Sequence, residues 1–472
     1  MEEKRENWGS KFGFIMAAAG SSVGLGNIWR FPYLAGTNGG SAFIIIYLGC
    51  VFTIGLSIMT AEFAVGRRSG LSAVGAYMSV SKNWTFAGVL GVLSGFLIMG
   101  FYPVVGGWAT AYMFKSVTGL LKDASAVGDA FGAFISNPVQ PLIWMGLYMV
   151  LNIIIVARGI SSGIELAGKV LMPALFVMLL IIIVRSVTLP GAGAGLAFLF
   201  KPDFSAVTGK TFLAALGQAF FSLSLGMGCM ITYGSYLKKD QNLSNNAAIV
   251  VSMDSSVALL AGIAIFPAVF AFGLDPGAGP GLVFVSVPLV FAHMGAIGPL
   301  LSFIFFTALM VAALTSSVSL LEVVVAYLID QRKMKRVNAV IITSVIMIIM
   351  CVFASLSLGV MADKPIPILG VGAFDLFDIL TDKIFLAIGG LLLAIFIGFV
   401  MKKEDLKSEL TNEGSIKFAA FELWYNFTKY VAPVLIAIIA VSGIISMKDQ
   451  VALMLFGVGI IVVSALFSKK FK

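Results

Sequence analysis

The chain has 472 residues, of which 59% are hydrophobic and only 11% are charged. This composition excludes an ordinary soluble domain and is typical of a membrane protein with many spans. The net charge of +8 does not indicate nucleic-acid binding, because most of the basic residues lie on one predicted side of the membrane. The three cysteines each lie within an apolar stretch, so no disulfide framework is predicted.

Twelve apolar stretches are long enough to cross a hydrocarbon core about 30 Å thick. They lie at 12–36, 41–66, 87–114, 139–157, 166–186, 211–236, 247–272, 297–328, 337–357, 382–401, 426–446 and 450–468. The positive-inside rule then predicts that both termini are cytoplasmic. Short outer loops and the lack of a signal-peptide pattern favour the inner (plasma) membrane of a bacterium.

The first stretch contains a run, AAAGSSVGLGNIWRFP at 17–32, that a simple spanning helix would not carry. Gly20, Gly24 and Gly26 each weaken a helix by up to about 1 kcal/mol relative to alanine. Backbone groups freed in this way find no water in hydrocarbon. The sequence therefore predicts that the helix breaks here, around a ligand that uses the exposed backbone.

The next stretches contain isolated polar residues. A carboxylate within the membrane needs partners, so Glu62 is expected to accept hydrogen bonds from exposed backbone amides. Tyr102 in the third stretch is as often a packed core residue as a ligand contact. In the fifth stretch Pro173 removes a backbone hydrogen-bond donor, so the cytoplasmic half of this helix is predicted to unwind.

The sixth stretch repeats the pattern of the first, with serines followed by Gly-x-Gly in QAFFSLSLGMGC at 218–229. Two glycine-interrupted spans that begin two successive sets of five helices indicate a transporter built from inverted repeats, with its site at the midplane. The predicted fold is all-α, with twelve transmembrane helices, a 5+5 inverted repeat and unwound helices 1 and 6. Its segments are a cytoplasmic N-terminal segment at 1–10, helices 1–5 at 11–190, helices 6–10 at 208–401, a cytoplasmic link at 402–425 and helices 11–12 at 426–468.

Two later stretches contain candidate cation ligands. Asp254 lies in the middle of the seventh stretch, where a bound cation is its natural partner and a purely structural hydrogen-bonding role is the alternative. Thr315 and Ser316 lie in the eighth stretch. Such hydroxyls most often bond to the preceding turn, but beside unwound carbonyls they supply the oxygen ligands of a hard cation.

At 20–32, 218–228 and 314–317 the sequence resembles the neurotransmitter:sodium symporter family, in its bacterial branch. The resemblance implies sodium-driven uptake by alternating access, with a substrate and two Na+ ions bound where helices 1 and 6 unwind. It implies one sodium site at the carbonyls of Gly20, Val23 and Ala312 and the hydroxyls of Thr315 and Ser316. It implies a second at Ser22, Asn27, Ser222, Asp254 and the substrate carboxylate, which couples ion to substrate.

The resemblance also implies a substrate site, composed of Ser22, Leu25, Gly26, Ile98, Tyr102, Phe221, Ser222, Ser224, Met227, Ser316, Ser319 and Leu320. Monoamine carriers of the family have aspartate at the position of Gly24, so glycine there favours an amino acid. Flexible Met227 replaces a rigid phenylalanine and should let the pocket accept bulk. We therefore expect a hydrophobic amino acid, large aliphatic or aromatic, as the substrate.

One position departs from the family pattern. Many relatives have asparagine at Asp254, and eukaryotic members require chloride beside that ion. We infer that Asp254 supplies the negative charge in a cluster with Tyr47, Gln218 and Ser222. Transport is then expected to be independent of chloride.

The resemblance implies a gate on each side of the site. Arg30 should pair with Asp382 on the outer side, with Asp378 as the less favoured partner. Arg5 should pair with Asp330 on the inner side, with Trp8 and Tyr236 packed around them. Gly163 and Pro173 match the motif at which helix 5 unwinds to hydrate the exit of one sodium ion.

Other classes of function remain as alternatives. A proton-coupled amino-acid transporter with the same repeat fold is the nearest, and an ion channel is the main candidate from another class. A substrate-sensing receptor lacks an appended signalling domain. No nucleophile and base are arranged as in an enzyme. The expected partners are an amino acid, sodium ions and the lipid bilayer, with helices 11–12 as a scaffold or as a homodimer surface.

Overall fold

A computed structural model describes residues 6–122, 124–277, 279 and 281–468 of the chain. Across those residues the secondary structure is helical and includes no strand, which confirms the all-α class. We number the main helices in chain order as α1 Lys11–Ser22, α2 Gly26–Thr37, α3 Ser41–Ser69, α4 Ala73–Val80, α5 Lys82–Thr118, α6 Ala124–Ser136, α7 Gln140–Ala157, α8 Ile160–Val187, α9 Ala192–Phe200, α10 Gly209–Ser222, α11 Cys229–Gly234, α12 Leu243–Ala271, α13 Leu282–His293, α14 Gly295–Arg332, α15 Arg336–Leu356, α16 Ala373–Val400, α17 Lys403–Thr411, α18 Phe421–Ser446 and α19 Val451–Ser468.

Nine helices in the described part of the chain are long and apolar enough to cross a membrane, and the bent pair α1 and α2 makes a tenth. The nine are α3, α5, α7, α8, α12, α14, α15, α16 and α18. The other two predicted spans correspond to α10 with α11, and to α19. Helices α10 and α11 are each shorter than the nine, and so is Val451–Leu466, the apolar part of α19, so the count of twelve spans stays a prediction.

The first helix is interrupted where its glycines predicted a break. Helix α1 is capped by Ser10, whose side chain accepts a hydrogen bond from the Gly13 backbone, and it ends at Ser22. Val23 is extended, and the chain becomes helical again at Gly26 with a bend of 47°. The carbonyls and amides near this bend are therefore available to other groups.

A second interruption separates α10 from α11. Ser224, Gly226 and Gly228 have positive φ angles of 54°, 75° and 77°, a conformation that stops a helix. A side chain on Gly226 would collide with the carbonyl oxygen of Leu386 in α16, so this position requires glycine. The two interruptions meet, because the Ser224 hydroxyl donates to the Ser21 carbonyl over 2.8 Å.

The helices around these interruptions form the centre of the protein. In α5, 78% of the most apolar window is buried inside the protein, whereas the fraction is 28% in α8 and 22% in α18. Helices α8 and α18 therefore lie at the periphery. At one end of the bundle, Arg67 at the end of α3 pairs with Glu409 of α17 over 2.6 Å, which fastens the segment that follows α16 to the bundle.

Candidate functional site

Asp254 of α12 lies at the point where the first interruption meets α10. Its carboxylate accepts hydrogen bonds from Asn27 Nδ2 at 2.7 Å and from the Ser222 hydroxyl at 2.9 Å. The Tyr47 hydroxyl lies 3.3 Å from the other carboxylate oxygen. Asp254 is fully buried, and in the described part of the chain all its hydrogen-bonding side-chain partners are neutral. A buried carboxylate with neutral partners provides a strong site for a cation.

Other backbone groups near Asp254 are held in place by side chains. Asn27 Oδ1 accepts a hydrogen bond from the Gly24 amide at 3.0 Å, and the Ser22 hydroxyl lies 3.4 Å from the Leu223 carbonyl. Gln218 does not contact the carboxylate directly. Its Nε2 donates to the Gly26 carbonyl at 2.7 Å, so Gln218 shapes the broken helix beside the cluster.

The other predicted sodium ligands lie between α1 and α14. A Cβ on Gly20 would lie 3.0 Å from Thr315 Cβ, so glycine brings the two helices into close contact. Thr315 Oγ1 donates to the Ala312 carbonyl at 3.1 Å, and Ser316 Oγ donates to the Ser21 carbonyl at 2.8 Å. Together with Val23, which directly follows α1, these groups supply oxygen atoms of the kind that a hard cation prefers.

Most predicted substrate residues line one small cavity between the interruptions, α5 and α14. The lining residues are Ser22, Gly24, Gly26, Ile98, Tyr102, Phe221, Ser224, Met227, Ser316 and Leu320. Ser319 is not among them, because its hydroxyl bonds to Ser21 and to the Ser316 carbonyl. Leu25 contributes through its backbone amide, which donates to the Tyr102 hydroxyl at 2.9 Å. Ser222 is directed to Asp254 instead.

Gly24 is required by the shape of the cavity. A Cβ at this position would lie 2.5 Å from the Tyr102 hydroxyl oxygen and 2.9 Å from Ser316 Oγ. An aspartate side chain would therefore displace Tyr102. The Tyr102 and Ser316 hydroxyls beside Gly24 form the polar end of the cavity, and Ile98, Met227 and Leu320 form its apolar lining.

Arg30 and Asp382, the pair predicted for the outer gate, lie in contact with each other. Arg30 Nη2 lies 2.5 Å from Asp382 Oδ1, and both side chains are about six-sevenths buried. The Arg30 guanidinium also lies over the Phe221 ring, 4.7 Å from its centroid. Asp382, rather than Asp378, is therefore the partner in this conformation.

Trp8, which was predicted to lie at the inner gate, packs against α11 and the residues after it. Its indole Nε1 donates to the Tyr233 carbonyl at 2.9 Å, and its ring lies edge-on to the Tyr236 ring. Arg5 lies outside the described residues, so its predicted pairing with Asp330 has no structural description. Asp330 accepts a hydrogen bond from the Ser72 amide at 2.6 Å.

Glu62 stabilises the second interruption. Its Oε1 accepts a hydrogen bond from the Gly226 amide at 2.8 Å, and the side chain is almost completely buried. This contact agrees with the expected role, because the unwound amide would otherwise lack a partner in the membrane.

Two features were not predicted from the sequence. The Ser21 carbonyl accepts hydrogen bonds from two hydroxyls, that of Ser316 in α14 and that of Ser224 in the second interruption. Near the end of α14, Glu322 binds Arg336 at 2.7 Å and accepts a hydrogen bond from the Tyr236 hydroxyl at 2.7 Å. Paired serines in the broken helix were a signal for the first, whereas the second depends on tertiary contacts that a sequence pattern does not specify.

Comparison with known proteins identifies the family. The model of the sodium:neurotransmitter symporter family matches residues 5–127 and 135–456. A sodium-dependent transporter of Bacillus subtilis, YhdH, is 40% identical over 94% of this chain and 99% of its own length. A sodium-dependent transporter of Haemophilus influenzae is 38% identical over 94% of this chain and 99% of its own.

A solved structure has the same architecture. The crystal structure of MhsT in complex with L-phenylalanine matches with a TM-score of 0.86 and 46% identity, over 93% of this chain and all of that one. The predicted family is confirmed, as is the prediction that the protein is not an enzyme, because members of the family are transporters. The chain belongs to the sodium:neurotransmitter symporter family and is a sodium-dependent membrane symporter.

Proposed function

We propose that this protein imports a large aliphatic or aromatic amino acid together with two Na+ ions, by alternating access and without chloride. The observation that carries the proposal is the fully buried carboxylate of Asp254, whose hydrogen-bonding side-chain partners in the described chain are neutral, beside the interruptions of two helices. A monovalent cation at this position balances its charge. The carboxylate of an amino acid in the adjoining cavity would share that cation and so couple the two.

The second ion is assigned to the space between α1 and α14. Gly20 allows close approach to Thr315, and the hydroxyls of Thr315 and Ser316 lie within 3.2 Å of backbone carbonyls. The candidate ligands at this position are all oxygen atoms, which Na+ prefers. Replacement of the bonds between these groups by bonds to the ion needs only rotation of two hydroxyls.

The substrate class is inferred from the cavity. The Tyr102 hydroxyl lies beside Gly24 and the Leu25 amide, and backbone amides of Leu25 and Gly26 start the half-helix α2, so these groups would bind a carboxylate. The remaining lining is mostly apolar, and no Lys, Arg, Asp or Glu is among the cavity's lining residues. MhsT, whose structure was solved with L-phenylalanine, supports the same class of substrate.

Chloride independence follows from the charge of Asp254. The Tyr47 and Ser222 hydroxyls lie within 3.4 Å of each other and both reach this carboxylate. A chloride ion in their midst would repel it. The negative charge of this carboxylate therefore takes the role that an anion has in other members.

Each remaining part of the fold has a proposed role in the transport cycle. Helices 1–5 and 6–10, at 11–190 and 208–401, act as inverted repeats that rock around the site within twelve spans. Both termini lie in the cytoplasm of a bacterial cell, and α18 and α19 form a scaffold or dimer surface. The α8 segment from Gly163 to Pro173 unwinds to release the ion held by Thr315.

The driving force suffices for concentrative uptake. One Na+ ion entering at a potential of about 100 mV supplies about 2.3 kcal/mol, and a tenfold concentration gradient adds about 1.4 kcal/mol. Two ions then supply roughly 7 kcal/mol, which supports an amino-acid gradient of about 10⁵-fold.

Binding of all twenty common amino acids to the purified protein, in sodium and in potassium, tests this proposal. We expect binding only in sodium, with leucine, phenylalanine or tryptophan among the strongest ligands. Lysine or glutamate competing as strongly as leucine would overturn the substrate class. Equal binding in potassium would overturn the sodium coupling.

A further inference from the structure

Glu165 is a buried carboxylate at the cytoplasmic start of α8, and no step proposed above uses it. It accepts a hydrogen bond from the Gly9 amide at 2.6 Å and another from the Ser10 hydroxyl at 2.9 Å. The Lys169 ammonium, one turn further along α8, lies 2.6 Å from the same carboxylate. Ser10 is also the N-cap of α1, so Glu165 holds the start of α1 against α8.

Two glycines make room for this carboxylate. A Cβ on Gly13 would overlap the Glu165 side chain, and a Cβ on Gly9 would lie 3.3 Å from both of its oxygens. The start of α1 is thus shaped to receive an acidic side chain from α8. Such a fit is specific, because any larger residue at Gly13 expels the carboxylate.

A second carboxylate links the same two segments, but here the acid belongs to the segment before α1 and the amide belongs to α8. Glu6, just before α1, accepts a hydrogen bond from the backbone amide of Ile160 at the first residue of α8. The segment 6–10 and the first turn of α8 therefore each provide an acid to the backbone of the other. Both contacts involve backbone amides at a helix start, where negative charge is favoured.

The first turn of α8 also covers a route from a proposed sodium site. A small cavity lies between α1, α7, α8, α11 and α14, and Gly20, Thr315, Ile164 and Gly168 are among its lining residues. Ile164 directly precedes Glu165, within the wide helical turn Ile160–Glu165. Opening of this turn would join the cavity to the cytoplasm and would displace the Glu165 carboxylate.

We propose that Glu165 is a positioning residue of the transport cycle, which ties the segment closing the inner gate to the turn covering the sodium exit, so that the two open together. The inference rests on the sodium symport proposed above. Because the contact is mutual, unwinding of α8 releases residues 6–10, and release of residues 6–10 favours unwinding.

Hydrogen exchange of the full-length protein, with leucine in sodium or in potassium, tests this coupling. In the natural protein we expect sodium to slow amide exchange at both 6–13 and 160–168. In Glu165→Ala, sodium should still slow exchange at 160–168, whereas exchange at 6–13 should rise roughly tenfold, as loss of charged hydrogen bonds implies. Glu165→Gln retains an acceptor and should restore part of the sodium response at 6–13.

A second pair of variants tests the same contact from the other side. Gly13→Ala expels the carboxylate and should reproduce the effect of Glu165→Ala. The double variant should be no worse than Glu165→Ala, since the added methyl group then fills the emptied space. Ser162→Ala is the matched control, because Ser162 is exposed on the same turn and bonds only to the Arg158 carbonyl.

The outcomes separate this inference from the proposed function. If 6–13 and 160–168 still respond together in Glu165→Ala, or if the effects of the two substitutions multiply, the coupling role of Glu165 is refuted. Sodium-dependent leucine binding by the same samples would then leave the symport intact. If the natural protein neither binds leucine in sodium nor changes its exchange, the proposed function fails, and this inference fails with it.

Discussion

Replacement of Asp254 by asparagine removes one negative charge and changes little else. The side chain keeps its size, and its remaining oxygen can still accept the hydrogen bond from Asn27 Nδ2, now 2.7 Å long. The new amide group faces the hydroxyls of Ser222 and Tyr47, which lie 2.9 and 3.3 Å from the carboxylate. These hydroxyls no longer face an anion, so a chloride ion can bind between them.

The expected loss follows from the missing charge. A unit charge about 4 Å from a sodium ion contributes about 4 kcal/mol at an effective dielectric constant near 20. Each 1.4 kcal/mol is about a factor of ten in affinity. Sodium affinity of Asp254→Asn in chloride-free buffer should therefore fall by about a thousandfold, and chloride should restore much of it.

Sodium titration of leucine binding, in chloride and in gluconate, measures both effects. The natural protein should give the same sodium curve in the two anions. Ser256→Ala is the control, because Ser256 is exposed on the same helix and donates to the Ser252 carbonyl. An unchanged sodium affinity of Asp254→Asn in gluconate would refute the charge argument. Loss of binding by the natural protein in gluconate would refute chloride independence.

Four further substitutions test the cavity, the gate and the exit. Gly24→Ala places a methyl group 2.5 Å from the Tyr102 hydroxyl oxygen and should weaken amino-acid binding by about tenfold to a hundredfold; unchanged affinity would contradict the cavity geometry. Arg30→Ala removes the outer ion pair and should speed dissociation of labelled leucine by about tenfold or more, whereas an unchanged rate argues against the gate. Met227→Phe should weaken competition by tryptophan and strengthen competition by alanine, each by about tenfold. If the ranking of these two competitors does not change, Met227 does not determine which amino acid binds. Pro173→Ala should slow sodium release in stopped-flow experiments without changing sodium-saturated binding, and equal release rates would count against unwinding of α8.

The positions of the helix interruptions could be predicted from the sequence because their cause is local. Gly20, Gly24 and Gly26 weaken one helix, and Gly226 and Gly228 adopt backbone angles that few other residues accept. The identity of the groups that meet there is not local. Asn27 and Asp254 are 227 positions apart, and their pairing was expected only because the sequence resembles a known family.

The contacts of Glu165 and of Arg67 could not be predicted. Glu165 lies at the end of a span, where a carboxylate is usually solvated and carries no signal. Its burial depends on Gly9 and Gly13, which only become neighbours of Glu165 once α1 packs on α8. Arg67 and Glu409 are likewise two of many charges near the membrane surface, and only the fold selects their pairing.

Uptake of labelled leucine by proteoliposomes tests the central claim most directly. The vesicles contain the full chain, carry equal pH on both sides and are suspended in chloride-free buffer. An inward sodium gradient should drive accumulation of leucine above the external concentration, and potassium in place of sodium should abolish it. Accumulation driven by a proton gradient in sodium-free buffer would contradict the account.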